Sequence, residues 1–223
     1  MREYTIAEVK SICEAAALPL GVPFIDERLD EYKVKYSGAY PYYAALRDLA
    51  RELKPRVVVE IGTWEGTSAA AFAAGNPDGA VITIDHHSDP GDDKNFAKME
   101  EAVKAYPNIG YFQGCSTEMV HALKPGTEWV FPRIEKFLNG IPIDFLFIDG
   151  WHGGDFARAD FDTFRPLLAP DALVICDDIY GNNEVTIFDM VKFWKGLPGE
   201  KYLDPRIHSV YQMGFAKMIP EAT

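Results

Sequence analysis

Two kinds of hydrophobic spacing alternate along this 223-residue chain. Continuous apolar runs cover residues 57–59, 80–84, 109–112, 143–148 and 172–176, and the stretches between them carry apolar residues every three or four positions. Runs of the first kind are strands buried on both faces; stretches of the second are helices packed over them. Helices are expected over 5–17, 42–53, 67–74, 95–105, 118–123, 129–138, 155–168 and from beyond 183 through 195. The first opens on Thr5-Ile6-Ala7-Glu8, the form of a capping box, places Ile6, Val9, Ile12 and Cys13 on one side, and ends at Pro19. The 155–168 helix is expected to bury Phe161, Phe164 and Leu168, and the last helix Val185, Phe188, Val191 and Trp194. Two closing runs, 206–211 and 214–219, lie near enough for an antiparallel hairpin. The pattern predicts an α/β, doubly wound, Rossmann-like fold: a seven-stranded mixed sheet with an antiparallel C-terminal hairpin. Residues 1–41 form an N-terminal helix and lid segment ahead of this domain at 42–223. Tyrosines at 32, 36, 40, 42 and 43 either cover a ligand or pack the segment down.

The first strand leads into Glu60-Ile61-Gly62-Thr63-Trp64-Glu65-Gly66-Thr67-Ser68, then an alanine-rich run. Strand, tight turn and helix follow directly from that order. Gly62 supplies a backbone conformation closed to other residues, Gly66 allows close approach to the main chain, and Thr67 and Ser68 open a helix whose N–H groups face an anionic group. The spacing is neither Gly-x-Gly-x-x-Gly nor a P-loop.

Acids recur at the ends of the strands. Asp85 ends the second, the position from which such folds hold ribose hydroxyls; capping the next turn is its plainer role. His86 and His87 follow as loop residues, side chains opposed, with His86 near the ligand. Asp149 ends the fourth strand and Asp177-Asp178 the fifth. Three carboxylates brought together repel unless a cation lies between them, and magnesium suits an all-oxygen donor set. Such an ion would lower the pKa of an acceptor hydroxyl. His152 is either a general base or a helix cap and partner to an acid. Trp151 either contacts a ligand or buries against the sheet, and Tyr180 and Asn182 follow the acidic pair closely enough to line a pocket.

Glu60-x-Gly62-x-x-x-Gly66, then Phe147-Ile148-Asp149-Gly150-x-His152, then a strand ending in Asp177-Asp178, resembles class I S-adenosylmethionine-dependent methyltransferases, in particular the metal-dependent small-molecule O-methyltransferase branch. The resemblance runs from about residue 40 to 180. It implies methyl transfer from S-adenosylmethionine to an oxygen of a small-molecule acceptor. Glu60, Gly62, Thr63, Trp64, Gly66 and Ser68 would face the methionine end and Asp85 the ribose. Cys115 stands where the family often carries an acid for the adenine, which leaves Ser116 or a backbone group to that task. Asp149 and His152 would serve catalysis, with Asp149, Asp177 and Asp178 holding Mg2+. An NAD-dependent oxidoreductase shares the strand-turn-acid layout but not the glycine spacing or the terminal hairpin. A non-catalytic S-adenosylmethionine-binding protein is the other alternative.

A net charge of −12 argues against nucleic-acid or anionic-membrane partners, which select basic surfaces. Cys13, Cys115 and Cys176 are far apart, as reduced buried thiols are. With neither a signal-like start nor an 18-residue apolar run, a cytoplasmic location is expected; assembly into a homo-oligomer stays open.

Overall fold

A computed structural model describes residues 1–17, 26, 41–86, 92–123, 126–151, 153–179, 187–204 and 213–219. Helix α1 (Ile6–Ala15) starts at Thr5, whose hydroxyl accepts from the Glu8 N–H while the Glu8 carboxylate accepts from the Thr5 N–H. This is the expected capping box. Helix α2 (Pro41–Leu53) buries Leu46, Leu49 and Leu53.

Seven strands form one sheet: β1 (Val57–Ile61), β2 (Ala80–Asp85), β3 (Ile109–Gln113), β4 (Ile143–Ile148), β5 (Leu168–Cys176), β6 (Glu200–Leu203) and β7 (Gly214–Lys217). Their order is β3-β2-β1-β4-β5-β7-β6, the first five parallel and β7 antiparallel to both its neighbours. Every residue of β1 and β4 is buried, as continuous apolar runs between two helical layers require. Between the strands run α3 (Thr67–Gly75), α4 (Asp92–Ala105), α5 (Glu118–Leu123), α6 (Phe131–Leu138), α7 (Gly154–Phe164) and α8 (Ile187–Gly196). One core lies under α1, α2, α3 and the inner side of α4, the other under α6, α7 and α8. In the first, Phe72 sets its ring edge-on to Phe145 and Phe147, with centroids 6.4 and 5.9 Å away. The chain winds outward in both directions from the β1–β4 pair. That reversal leaves a crevice beyond the strand ends, where ligands of open α/β sheets bind.

Several boundaries depart from expectation. Helix α7 stops at Phe164, and a short 3-10 turn leads to Leu168, which already belongs to β5. The register jumps from Ile143 opposite Leu168 to Phe145 opposite Leu173. A bulge of this kind admits Pro170, which has no N–H for the ladder. Helix α8 buries Met190, Phe193 and Trp194, while Val191 is half-buried. Val185 and the Phe188 side chain lie outside the described residues. On its outer side β7 pairs with β6, whose Glu-Lys-Tyr-Leu sequence is too polar to read as a strand and suits an outermost, partly exposed position. The 206–211 run lies outside the described residues, as do the tyrosines at 32, 36 and 40. Cys13, Cys115 and Cys176 are buried, and among the described residues they form no disulfide. Among the described residues no helix is long and apolar enough to cross a membrane.

Phe72 is fully buried between α3 and the central strands. Phe72→Ala is expected to destabilise the protein by about 3–5 kcal/mol, read from the urea unfolding midpoint; a loss under about 1 kcal/mol would contradict this packing.

Candidate functional site

Strand pairing continues past the last ladder residues. Gly62 N donates to Ile84 O, Asp149 N to Ile61 O, Gly114 N to Asp85 O and Asp177 N to Ile148 O, at distances of 2.9 to 3.1 Å. These bonds fix the first residue after β1, β4, β3 and β5 along one edge. A cavity of about 570 Å³ opens there.

The loop after β1 lies directly on the tip of β4. Gly62 has φ +96°, and a Cβ at that position would sit 2.0 Å from the Asp149 carbonyl oxygen. Trp64 also takes a left-handed backbone, φ +44°, and its N–H donates to Asp85 Oδ2 at 2.8 Å. A carboxylate at the end of β2 thus holds a strained turn after β1. Helix α3 then begins at Gly66 without any side-chain cap, so its first N–H groups remain for another acceptor. Thr67 and Ser68 line the cavity at that helix start.

Gly62, Thr63, Trp64, Ser68, Asp85, His86, Ser116 and Asp149, all expected near a cofactor, line this cavity. Two residues expected with them do not. Gly66 turns its bare face to Met99 and Ala102 of α4, so its small size serves helix packing. Glu60 lies beneath the loop, fully buried, with the Thr83 hydroxyl donating to it and the Thr63 hydroxyl paired to Thr83 in turn. It occupies a core-facing position of β1, while Ile61, one residue on, faces the opposite core. Burial pushes the Glu60 carboxyl up to about 8, against the opposing pull of hydrogen bonds from Ser68 and Thr83.

Asp149, Asp177 and Asp178 line the same cavity. Among the described residues, however, no three His, Cys, Asp or Glu side chains are grouped so as to hold a metal ion. The described residues therefore do not show the magnesium site expected from these carboxylates. Strand pairing aligns their backbones, but consecutive residues leave an extended chain in different directions, and Asp178 breaks from it at φ +52°. His152, His87, Tyr180 and Asn182 lie outside the described residues.

The cavity wall also holds Tyr43 of α2, one of the tyrosines expected either to cover a ligand or to pack its segment down, and four residues with no assigned role in the sequence: Glu65, Val120, Phe156 and Asp160. Trp151 is exposed and stacks on Phe156 with centroids 4.9 Å apart and planes 11° from parallel, so it borders the cavity instead of burying against the sheet. Asp160 is 2% exposed, accepts from the Ser116 hydroxyl at 2.6 Å, and is pushed up to about 7 by burial. Its sequence signal is an acid on the apolar stripe of α7, beside Ala157, Phe161 and Phe164.

Electrostatically the wall has one sign. Glu65, Asp85, Asp149, Asp160, Asp177 and Asp178 contribute carboxyl groups, and no Lys or Arg appears among the described residues that line the cavity. Lys98 of α4 pairs with Glu65 at 2.9 Å from outside this lining.

A seven-stranded sheet of this order, with an antiparallel seventh strand and a cavity at the tips of its parallel strands, defines a Rossmann-like methyltransferase fold. The chain belongs to the methyltransferase-domain family, whose sequence profile matches residues 59–179. No curated protein matched it in sequence. Among solved structures, an O-methyltransferase from Bacillus cereus in complex with SAH is similar at TM-score 0.62 and 17% identity, covering 95% of this chain and 97% of that one. The O-methyltransferase TomG from Streptomyces achromogenes, involved in tomaymycin synthesis and in complex with SAM, gives TM-score 0.59 and 17% identity over 97% of each chain. An SAH-bound methyltransferase from Podospora anserina gives 0.59 and 18%, again over 97% of each.

Glu60 holds its proton more tightly folded than unfolded, so its contribution to stability declines as pH rises from about 4.5 to about 8. Asp160, pushed up to about 7, acts in the same direction. Glu60→Gln removes one of the two groups. Urea midpoints at about pH 5 and about pH 8 should therefore differ less in the variant than in the wild type, and an unchanged difference would contradict a buried, protonated Glu60.

Proposed function

We propose that the protein transfers a methyl group from S-adenosylmethionine to an oxygen of a small-molecule acceptor. The acid-lined cavity carries this reading. A sulfonium cation gains from six carboxyl groups around it, whereas the pyrophosphate of a dinucleotide would meet like charge with no Lys or Arg on the described wall. This observation disfavours the NAD-dependent alternative. The similar structures that carry SAH or SAM support the same choice of cofactor.

In this reading the uncapped start of α3, with Ser68, receives the cofactor's carboxylate, and the main chain of Gly62, Thr63 and Trp64 follows its methionine chain. Asp85 takes the ribose hydroxyls, His86 lies beside them, and Ser116 borders the adenine. Asp149, at the junction of the loop and β4, lies beside the transferred group. The acceptor oxygen attacks the methyl carbon in line with the departing sulfur; the C–S bond breaks and the sulfonium becomes a neutral thioether. The acceptor's proton passes to Asp149 or His152. Most of the acceleration is positional, because two reactants held in line need little further chemistry. Since the described carboxylates are not grouped to hold magnesium, no step is assigned to a metal. Small hydroxylated or phenolic acceptors fit a cavity of about 570 Å³ bordered by Trp64 and Trp151.

Calorimetric titration should show micromolar binding of S-adenosylmethionine and none of NAD; the reverse result would overturn this reading. Cofactor binding without turnover on any hydroxylated acceptor would instead identify a non-catalytic binding protein. After treatment with EDTA, methyl transfer is expected to continue at an unchanged rate. A requirement for added magnesium would show that the three carboxylates rearrange around an ion.

A further inference from the structure

The β3–α5 loop stands next to Asp85, because Gly114 N donates to the Asp85 carbonyl at 2.9 Å. If Asp85 holds the ribose, as proposed above, the attached base extends onto this loop and the facing side of α7. Polar groups on that wall are few. The Cys115 backbone is committed on both sides, its N–H to Glu128 O at 2.7 Å and its carbonyl to Val130 N at 3.0 Å, and its side chain is buried. Among the polar side chains of the loop and the facing helix, the Ser116 hydroxyl and the Asp160 carboxyl it donates to line the cavity.

Asp160 is an unusual occupant of its helix. Ala157, Phe161 and Phe164 around it are core residues, and the carboxyl is 2% exposed. Among the described residues it forms no ion pair, and the Ser116 hydroxyl is its hydrogen-bond donor. A carboxyl so desolvated gains from any additional N–H donor brought to it. Ser116 fixes one oxygen as an acceptor, which orients the group toward a donor on the ligand. The exocyclic amino group of adenine is such a donor.

We propose that Asp160, held in place by Ser116, accepts a hydrogen bond from the 6-amino group of the bound adenine and thereby selects adenine over 6-oxopurines. A 6-oxo group in the same place would set two acceptors against each other. The inference rests on the cavity being an S-adenosylmethionine site, and its test separates the two claims.

S-adenosylhomocysteine and S-inosylhomocysteine differ at this position in an amino versus an oxo group. Binding of both to wild type, Asp160→Ala and Asp160→Asn is measured by calorimetry, with the thermal unfolding midpoint of each protein. Wild type should prefer the adenosyl compound by about tenfold or more, and both variants should lose most of that preference. The near-isosteric Asn variant, able to present an amide N–H to a 6-oxo group, should gain affinity for the inosyl compound. Should the Ala variant fail to fold, the Asn variant carries the comparison. Equal weakening of both ligands with the wild-type ratio kept would overturn the proposal and leave Asp160 as a tie between α7 and the loop. Equal binding of both compounds to wild type would also overturn it. Wild type that binds neither compound would refute the cofactor reading itself.

Discussion

The binding edge depends on how closely the loop after β1 lies on the tip of β4. A missing side chain makes that contact possible: Gly62 brings its backbone to where even one methyl group would overlap the Asp149 carbonyl. The same contact continues the sheet's hydrogen bonding outward through Asp149 N and Gly62 N. Loop, strand tips and the start of α3 are consequently joined through the main chain along one edge of the cavity. Positioning of this kind suits a reaction that needs alignment more than acid-base power.

Acidity is the second organising feature, and it carries a cost in stability. Glu60, buried beneath the wall, and Asp160 within it work against the folded state as pH rises, because burial pushes both carboxyls up. Two continuous cores offset that cost, one on each face of the sheet, built from the wholly buried β1 and β4 and the aromatic contacts of Phe72. Instability is thus concentrated at the site and stability away from it.

Much of the fold was legible because buried parallel strands are written as unbroken apolar runs. β1, β2, β4 and the core of β5 fall where the runs fall, and Thr5 with Glu8 marks the start of α1. β6 was not legible, since an outer strand needs no apolar signature. The early start of β5 was hidden by Pro170, which reads as a turn but sits in a bulge. At the site, strand-end acids were visible because position along a strand determines which edge a residue reaches. Direction at that edge was not visible: Glu60 and Gly66 share the motif yet turn away from the cavity. Nor could spacing show whether Asp149, Asp177 and Asp178 converge on a point, because that depends on side-chain direction at three separate backbones. Asp160 comes from a helix far along the chain and meets Ser116 only through tertiary packing.

Asp85 stands in two relationships at once. Its carboxylate fixes Trp64 in a backbone conformation that few non-glycine residues adopt, and it also forms part of the cavity wall. Loop geometry and occupancy therefore share a single group and are thermodynamically linked: an occupant that strengthens the hold on Trp64 is itself bound more tightly by the same free energy. A substitution near Trp64, remote from any ligand contact, would then register as a change in affinity, and the loop's own stability would report whether the cavity is filled.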